Sequence, residues 1–247
     1  MKNFAKTACN EFADDYQSEK PEFLLDWYEH HTPARQRVEL FIHDVFARAY
    51  GADVRQYLPR LMALQSNEHQ LLAALGIREA SSGPLFLERY LDGSVEDAIS
   101  GYHGSAVARN SIVEIGNLAS VHRGGLSKLM IALTSYLSGA GVEWVAFTAV
   151  PAVTKAFAAL DLHLEPLAVA NKSRLSTAEQ QAWGSYYDSG PTVVVGRVEE
   201  GYQRLSNALK AEQAMRLNCY LWEYAFIAGC RQRYLAATPA MNAQGGM

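Results

Sequence analysis

The stretch VEIGNLASVHRGGLS, residues 113–127, decides the fold. Ser111 to Ser120 reads as a strand, and it runs directly into His122-Arg123-Gly124-Gly125-Leu126-Ser127 at the head of a helix. On that helix Leu126, Leu129, Met130, Leu133 and Leu137 recur at helical spacing and make one apolar face, which Gly139 and Gly141 close. Glu143 to Val150 follows as a nearly unbroken apolar run, the pattern of a central strand covered on both faces. Pro151 then opens a second helix that ends near Leu160. Strand, glycine-rich turn, helix, strand and helix in that order make a parallel βαβ unit, so the fold class is mixed α/β.

Upstream, Ala34 to Tyr50 places Val38, Phe41, Ile42, Val45, Phe46 and Ala49 at helical spacing. Arg60 to Gln65 and Gln70 to Arg78 read as an antiparallel hairpin turned at Ser66-Asn67-Glu68. The aromatic and acidic stretch Phe23 to Glu29 is expected to form a short helix, and Leu85 to Leu91 with Val95 to Ile99 short irregular or helical structure. Downstream, Leu162 to Ala170 and Thr192 to Val198 read as strands. One helix is expected from Glu199 to about Ala236, packed along the domain or against a partner, with a loose tail from Thr238. The chain thus divides into an N-terminal extension (residues 1–33), an α/β domain (34–198) and a C-terminal helix with its tail (199–247).

The 247 residues carry 22 Lys and Arg against 26 Asp and Glu, a net charge of -4, so no basic excess exists to hold a nucleic-acid backbone. Cys9, Cys219 and Cys230 are too few and too scattered for a disulfide framework or a four-ligand zinc site. The first sixteen residues do not read as a secretory signal, and Tyr220 to Cys230, the longest apolar stretch, is broken by Glu223 and far too short to span a bilayer. A cytoplasmic protein is expected.

Gly124 and Gly125 carry the first chemical signal. Without a Cβ they let a ligand approach the main chain, and the helix behind them aims free N–H groups and its positive dipole end outward. Such a turn holds a phosphate or pyrophosphate, or else it needs glycine for geometry alone. The Gly-x-Gly-x-x-Gly spacing of dinucleotide folds is absent.

Taken in order, residues 113–162 resemble the core of the Gcn5-related acetyltransferase (GNAT) superfamily, with coarse similarity over 34–198. That superfamily's pyrophosphate loop reads Gln or Arg, two variable residues, Gly, one variable residue, and Gly or Ala. Gly125 takes the fixed glycine place, while His122 stands where Gln or Arg is usual and Ser127 at the last small position. Val113 to Ala119, Phe86 to Asp92, and Trp183-Gly184-Ser185-Tyr186-Tyr187 with Pro191 resemble the thermostable hemolysin family. The strand is also similar to the Glu-x-Ser-Arg stretch of acyl-homoserine lactone synthases: Glu114 keeps its acid and Asn117 stands in place of its Arg.

This resemblance implies a GNAT-like mixed central sheet flanked by helices, with a long C-terminal helix appended. It implies an acyl-thioester donor, acyl-CoA or the acyl-phosphopantetheine of a carrier protein, in the splay between the strand ending at Ser120 and the strand from Glu143. The donor phosphates would sit on the turn from His122 and Arg123 through Gly124, Gly125 and Leu126 to Ser127, and the pantetheine on the main chain of Leu118 and Ala119. The activity implied is acyl transfer to an amine acceptor, an amino acid among the candidates, with no metal.

Glu114 is the expected base. In a regular strand it shares a face with Gly116 and Leu118. The bland alternative is a structural Glu paired with a nearby Arg. The superfamily's usual general acid, a Tyr on the second helix, is Phe157 here, which is expected to pack against the pantetheine or the core. Trp183, Tyr186 and Tyr187 line an acceptor or acyl pocket, or else form core or a dimer surface. A homodimer and a carrier-protein partner stay open. Two further readings stand beside the enzyme: a membrane-active hemolysin, and a non-catalytic GNAT-like protein that binds a ligand or partner.

Overall fold

The computed structural model describes residues 22–121, 123–211 and 216–238. Its sheet contains β1 (Phe23–Tyr28), β2 (Arg60–Ser66), β3 (Leu71–Glu79), β4 (Ile112–Ser120), β5 (Trp144–Ala149), β6 (Glu165–Val169) and β7 (Thr192–Arg197). The helices are α1 (Arg35–Tyr50), α2 (Val95–His103), α3 (Arg123–Ala140), α4 (Pro151–Ala158), α5 (Thr177–Ala182), α6 (Val198–Ala211) and α7 (Arg216–Ala237). The spatial order is β1-β2-β3-β4-β5-β7-β6. All neighbours are antiparallel except β4 and β5, which run parallel and are joined through α3.

Two apolar layers flank the sheet. Leu129, Leu133 and Leu137 of α3 cluster with Leu205 and Leu221 against Val113, Ile115 and Val145. Val38, Ile42 and Phe46 of α1 cluster with Ala63, Ala74 and Ala146 on the other side. Full burial of side chains this size stabilises by about 1.5–3 kcal/mol each, so these stripes, rather than helix propensity, hold the helices.

The segment expected to be a short helix, Phe23 to Glu29, is instead the edge strand β1, paired with β2 from Phe23↔Ser66 to Tyr28↔Leu61. Within the single helix expected from Glu199 onward, two are described, α6 and α7. The expectations for residues 1–21, His122 and the tail beyond Thr238 concern positions outside the described residues.

α7 packs along the domain, against α3. A Cβ at Gly139 would stand 2.3 Å from the Phe226 carbonyl oxygen, and one at Gly229 2.1 Å from that of Tyr136. Only glycine at both positions lets the two backbones cross this closely. The Ser135 hydroxyl donates to the Trp222 carbonyl at 2.6 Å across the same junction.

The feature that positions the site lies in β4. Ala74 pairs with Ala119 and Gly76 with Gly116, so Leu75 of β3 faces two residues, Asn117 and Leu118. Asn117 is left-handed, at φ +53°. This bulge reverses the alternation: Val113 and Ile115 point to the α3 layer, but so does Leu118, while Ala119 joins the α1 layer. Leu118 therefore does not share a face with Glu114, as a regular strand would require. Pairing with β5 ends at Ile115↔Phe147, beyond which the two parallel strands have no paired residues.

Candidate functional site

A cavity of about 470 Å³ opens on the α1 side of the sheet where the β4 bulge begins. Its floor includes Glu114, Gly116 and Asn117 of β4 and Thr148 of β5. Three pieces of irregular chain wall it, and each is fastened by an identifiable side chain.

The first wall is the segment between α1 and β2. Asn117 accepts from the Leu58 N–H at 2.9 Å and donates to the Gln56 carbonyl at 3.0 Å, so its side chain acts as a strand partner for this loop. Arg35, buried at 5% exposure, donates to the carbonyls of Tyr28, Leu58 and Pro59 at 2.7–2.9 Å. A Cβ at Gly76 would come within 2.7 Å of the Leu58 Cβ, which makes room the reason for glycine there.

The second wall, Pro84 to Tyr90, hangs on Arg109. Its guanidinium donates to the Ala80 and Gly83 carbonyls, both at 2.8 Å, and to the carboxylates of Glu88 and Glu96, both at 2.6 Å. Burial favours the neutral acid of Glu88, but bonds from Arg109 and from the N–H groups of Leu85 and Val95 outweigh it and hold the carboxyl at about 2.

The third wall is the aromatic run after α5. Gly184, at φ +52°, sits so close to α1 that a Cβ would be 2.2 Å from the Tyr50 carbonyl oxygen. That contact docks Trp183, Tyr186 and Tyr187 among Phe46, Tyr50, Phe86 and Tyr90, with ring centroids 5.1–6.3 Å apart. The Tyr90 and Tyr187 hydroxyls share a hydrogen bond, and Tyr186 donates to the Thr148 carbonyl at 3.3 Å. Burial raises all three hydroxyls, Tyr90 to about 12, so they stay protonated at neutral pH.

Glu114 is 3% exposed at the floor. Its carboxylate accepts the N–H groups of Leu87 at 2.9 Å and Phe86 at 3.2 Å. Burial raises its carboxyl above the usual range, an effect these two bonds and the Arg78 charge only partly oppose. Arg78, its register partner on β3, stands 3.9 Å away and donates instead to the Pro84 carbonyl at 3.2 Å. A buried carboxylate with raised affinity for a proton, at the floor of a ligand-sized cavity, is suited to accept one.

The glycine turn lies apart from this cavity, at the start of α3. Gly125 packs on β3, where a Cβ would meet the Leu72 carbonyl oxygen at 3.3 Å. At Gly124, among the described residues, a Cβ would meet the Lys128 ammonium at 3.9 Å, which sets this helix start beside a cation. Among the residues singled out in the sequence, Glu114, Trp183, Tyr186 and Tyr187 meet in the cavity. Gly124, Gly125, Leu126 and Ser127 stand together at the α3 start with Arg123, and Leu118 and Ala119 lie between the two regions on β4. Phe157 is in the α3-side core against Phe147, ring centroids 5.0 Å apart.

Residues the sequence did not single out are Arg35, Arg78, Arg109 and Lys128. The contacts that tie them to the site come from folding rather than spacing: Arg35 reaches Leu58 and Pro59, Arg109 reaches Gly83 and Glu88, and sheet register sets Arg78 opposite Glu114. Among the described residues no helix is long and apolar enough to cross a membrane.

The profile of the thermostable hemolysin family matches residues 28–202. No curated protein matches. Among solved structures, the AHL synthase LasI is 13% identical at a TM-score of 0.50, over 72% of this chain and 91% of that one. BjaI, a CoA-dependent acyl-homoserine lactone synthase solved with SAM and isopentyl-CoA, is 12% identical at 0.52, over 83% and 99%. FeeM, an N-acyl amino acid synthase from uncultured soil microbes, is 13% identical at 0.50, over 78% and 100%. At such identities the likeness is one of fold, the GNAT-like fold expected from the sequence.

Proposed function

The chain belongs to the thermostable hemolysin family, and on that premise we propose that it is an N-acyltransferase, moving an acyl group from a thioester donor to an amine. The observation that carries this reading is Glu114, buried and hydrogen-bonded on the cavity floor beside the point where β4 and β5 stop pairing. The donor is acyl-CoA or the acyl-phosphopantetheine of a carrier protein. Its phosphate meets the N–H groups at the start of α3 and its pantetheine runs along the β4 edge at Leu118 and Ala119.

In this scheme the amine nitrogen attacks the thioester carbonyl, and a main-chain N–H near Leu118 stabilises the oxyanion that forms. Glu114 takes the proton the amine sheds. The C–S bond then breaks, leaving an amide, and the departing thiolate is protonated from solvent, since Phe157 has no proton to give. The aromatic wall of Trp183, Tyr186 and Tyr187 lines the space for substrate.

Acyl-CoA thioesters of graded chain length, incubated with mixed amines, test the proposal. Free thiol and an amide of matching mass are expected together. Absence of both across all chain lengths, with acyl-CoA and with acylated carrier protein, would sink it.

A further inference from the structure

Arg78 and Glu114 are direct register partners on β3 and β4 and line one cavity, and at 3.9 Å they form a loose ion pair with no hydrogen bond between them. Each leans on the same loop instead, Arg78 on the Pro84 carbonyl and Glu114 on the N–H groups of Phe86 and Leu87. The other cavity arginines are matched by carboxylates: Arg89 by Glu179, and Arg55 by Asp53 at 2.6 Å. Among the described residues nothing takes the Nε or Nη2 of Arg78. A guanidinium carries five N–H donors in a fork that fits a carboxylate.

We infer that the acceptor is an α-amino acid, its carboxylate held by Arg78 while its amine faces Glu114. The inference rests on the acyl-transfer reading for the chemistry, but the recognition stands on the geometry of the pair. A cation and an anion 3.9 Å apart, both lining the cavity and each with unused hydrogen-bonding capacity, match an α-amino acid, whose own opposite charges are carried on one α-carbon. A simple amine or an amino-acid amide would cover Arg78 without a carboxylate for its Nε and Nη2, leaving those donors unmet. The aromatic wall beside the pair suits an apolar side chain.

The test compares L-phenylalanine and L-leucine with their amides and with phenethylamine and isoamylamine. Thiol release is measured with acyl-CoA present, and binding by calorimetry without it. The acids are expected to lead by about 10- to 100-fold in kcat/KM and in affinity, the range set by one charge-assisted pair. Arg78→Gln is expected to erase that lead by raising KM for the acids while sparing the amines, and Arg78→Lys to restore part of it. Urea unfolding of both variants reports whether the Pro84 loop is intact.

Equal handling of acids, amides and amines by the unmodified protein would overturn the assignment. So would a loss in Arg78→Gln common to all three, or no binding of either acid. Thiol release with phenethylamine as fast as with phenylalanine would remove Arg78 and keep the acyltransferase. Calorimetry that ranks the acids first while no thiol is released with any acceptor would keep Arg78 and remove the acyltransferase.

Discussion

Replacing Asn117 separates two contributions that its position combines. The side chain makes two hydrogen bonds to the loop at Gln56 and Leu58, and the backbone is left-handed at φ +53°. Each bond is worth about 1 kcal/mol net, and a left-handed alanine costs about 1 kcal/mol more than glycine. Asn117→Ala therefore loses about 3 kcal/mol and Asn117→Gly about 2. For a chain of this size about 1 kcal/mol shifts Tm by about 2–4 °C. Urea unfolding followed by tryptophan fluorescence, with the slope m checked for constancy, reads both values. The reasoning fails if the glycine variant is no more stable than the alanine variant, or if both lie within about 0.5 kcal/mol of the parent.

Three further outcomes follow from the same contacts. Glu114→Gln should cut turnover at least about 100-fold with little change in Tm. In the parent the rate should climb as Glu114 loses its proton, with a midpoint above the ordinary carboxylate value of about 4.3; unchanged turnover in the variant would remove the base. Glu88, held at about 2, stabilises the folded state above its unfolded value, and that stability drains away as pH falls toward 2. On the order of 2 kcal/mol is at stake after solvent screening, and Glu88→Gln should flatten this part of the stability-pH curve; an unaltered curve would exclude the pairing with Arg109 as its source. Gly229→Val should cost at least about 2 kcal/mol by pushing α7 off α3, and stability unchanged in urea would show that the crossing relaxes freely.

The βαβ unit, α1 and the hairpin were legible because their apolar periods match what they bury. Phe23–Tyr28 was not, for a reason its burial shows: Leu25 and Tyr28 are the buried residues, three apart, a helical spacing in a segment that pairing with β2 holds extended. Glu88 and Arg89, adjacent in sequence, point apart to partners that only the fold supplies, Glu88 to Arg109 and Arg89 to Glu179. Glu114 stood out as an acid in an apolar strand. Arg78 did not, because only sheet register sets it opposite Glu114. The bulge was hidden too, since Asn117 reads as one polar residue among others until its left-handed backbone is seen.

The close crossing of α3 and α7 also orders events in time. Gly229 follows Gly139 by 90 residues, and at synthesis rates of about 5–20 residues per second the later helix leaves the ribosome roughly 5–20 s after the earlier one. Throughout that interval the places on α3 that α7 will meet, at Ser135 and Gly139, lack that cover, although Trp27 and Arg60 already reach Tyr136 between them. Until its own α7 arrives, a nascent molecule is thus open at that junction to a chaperone, or to the α7 of a neighbour on the same message.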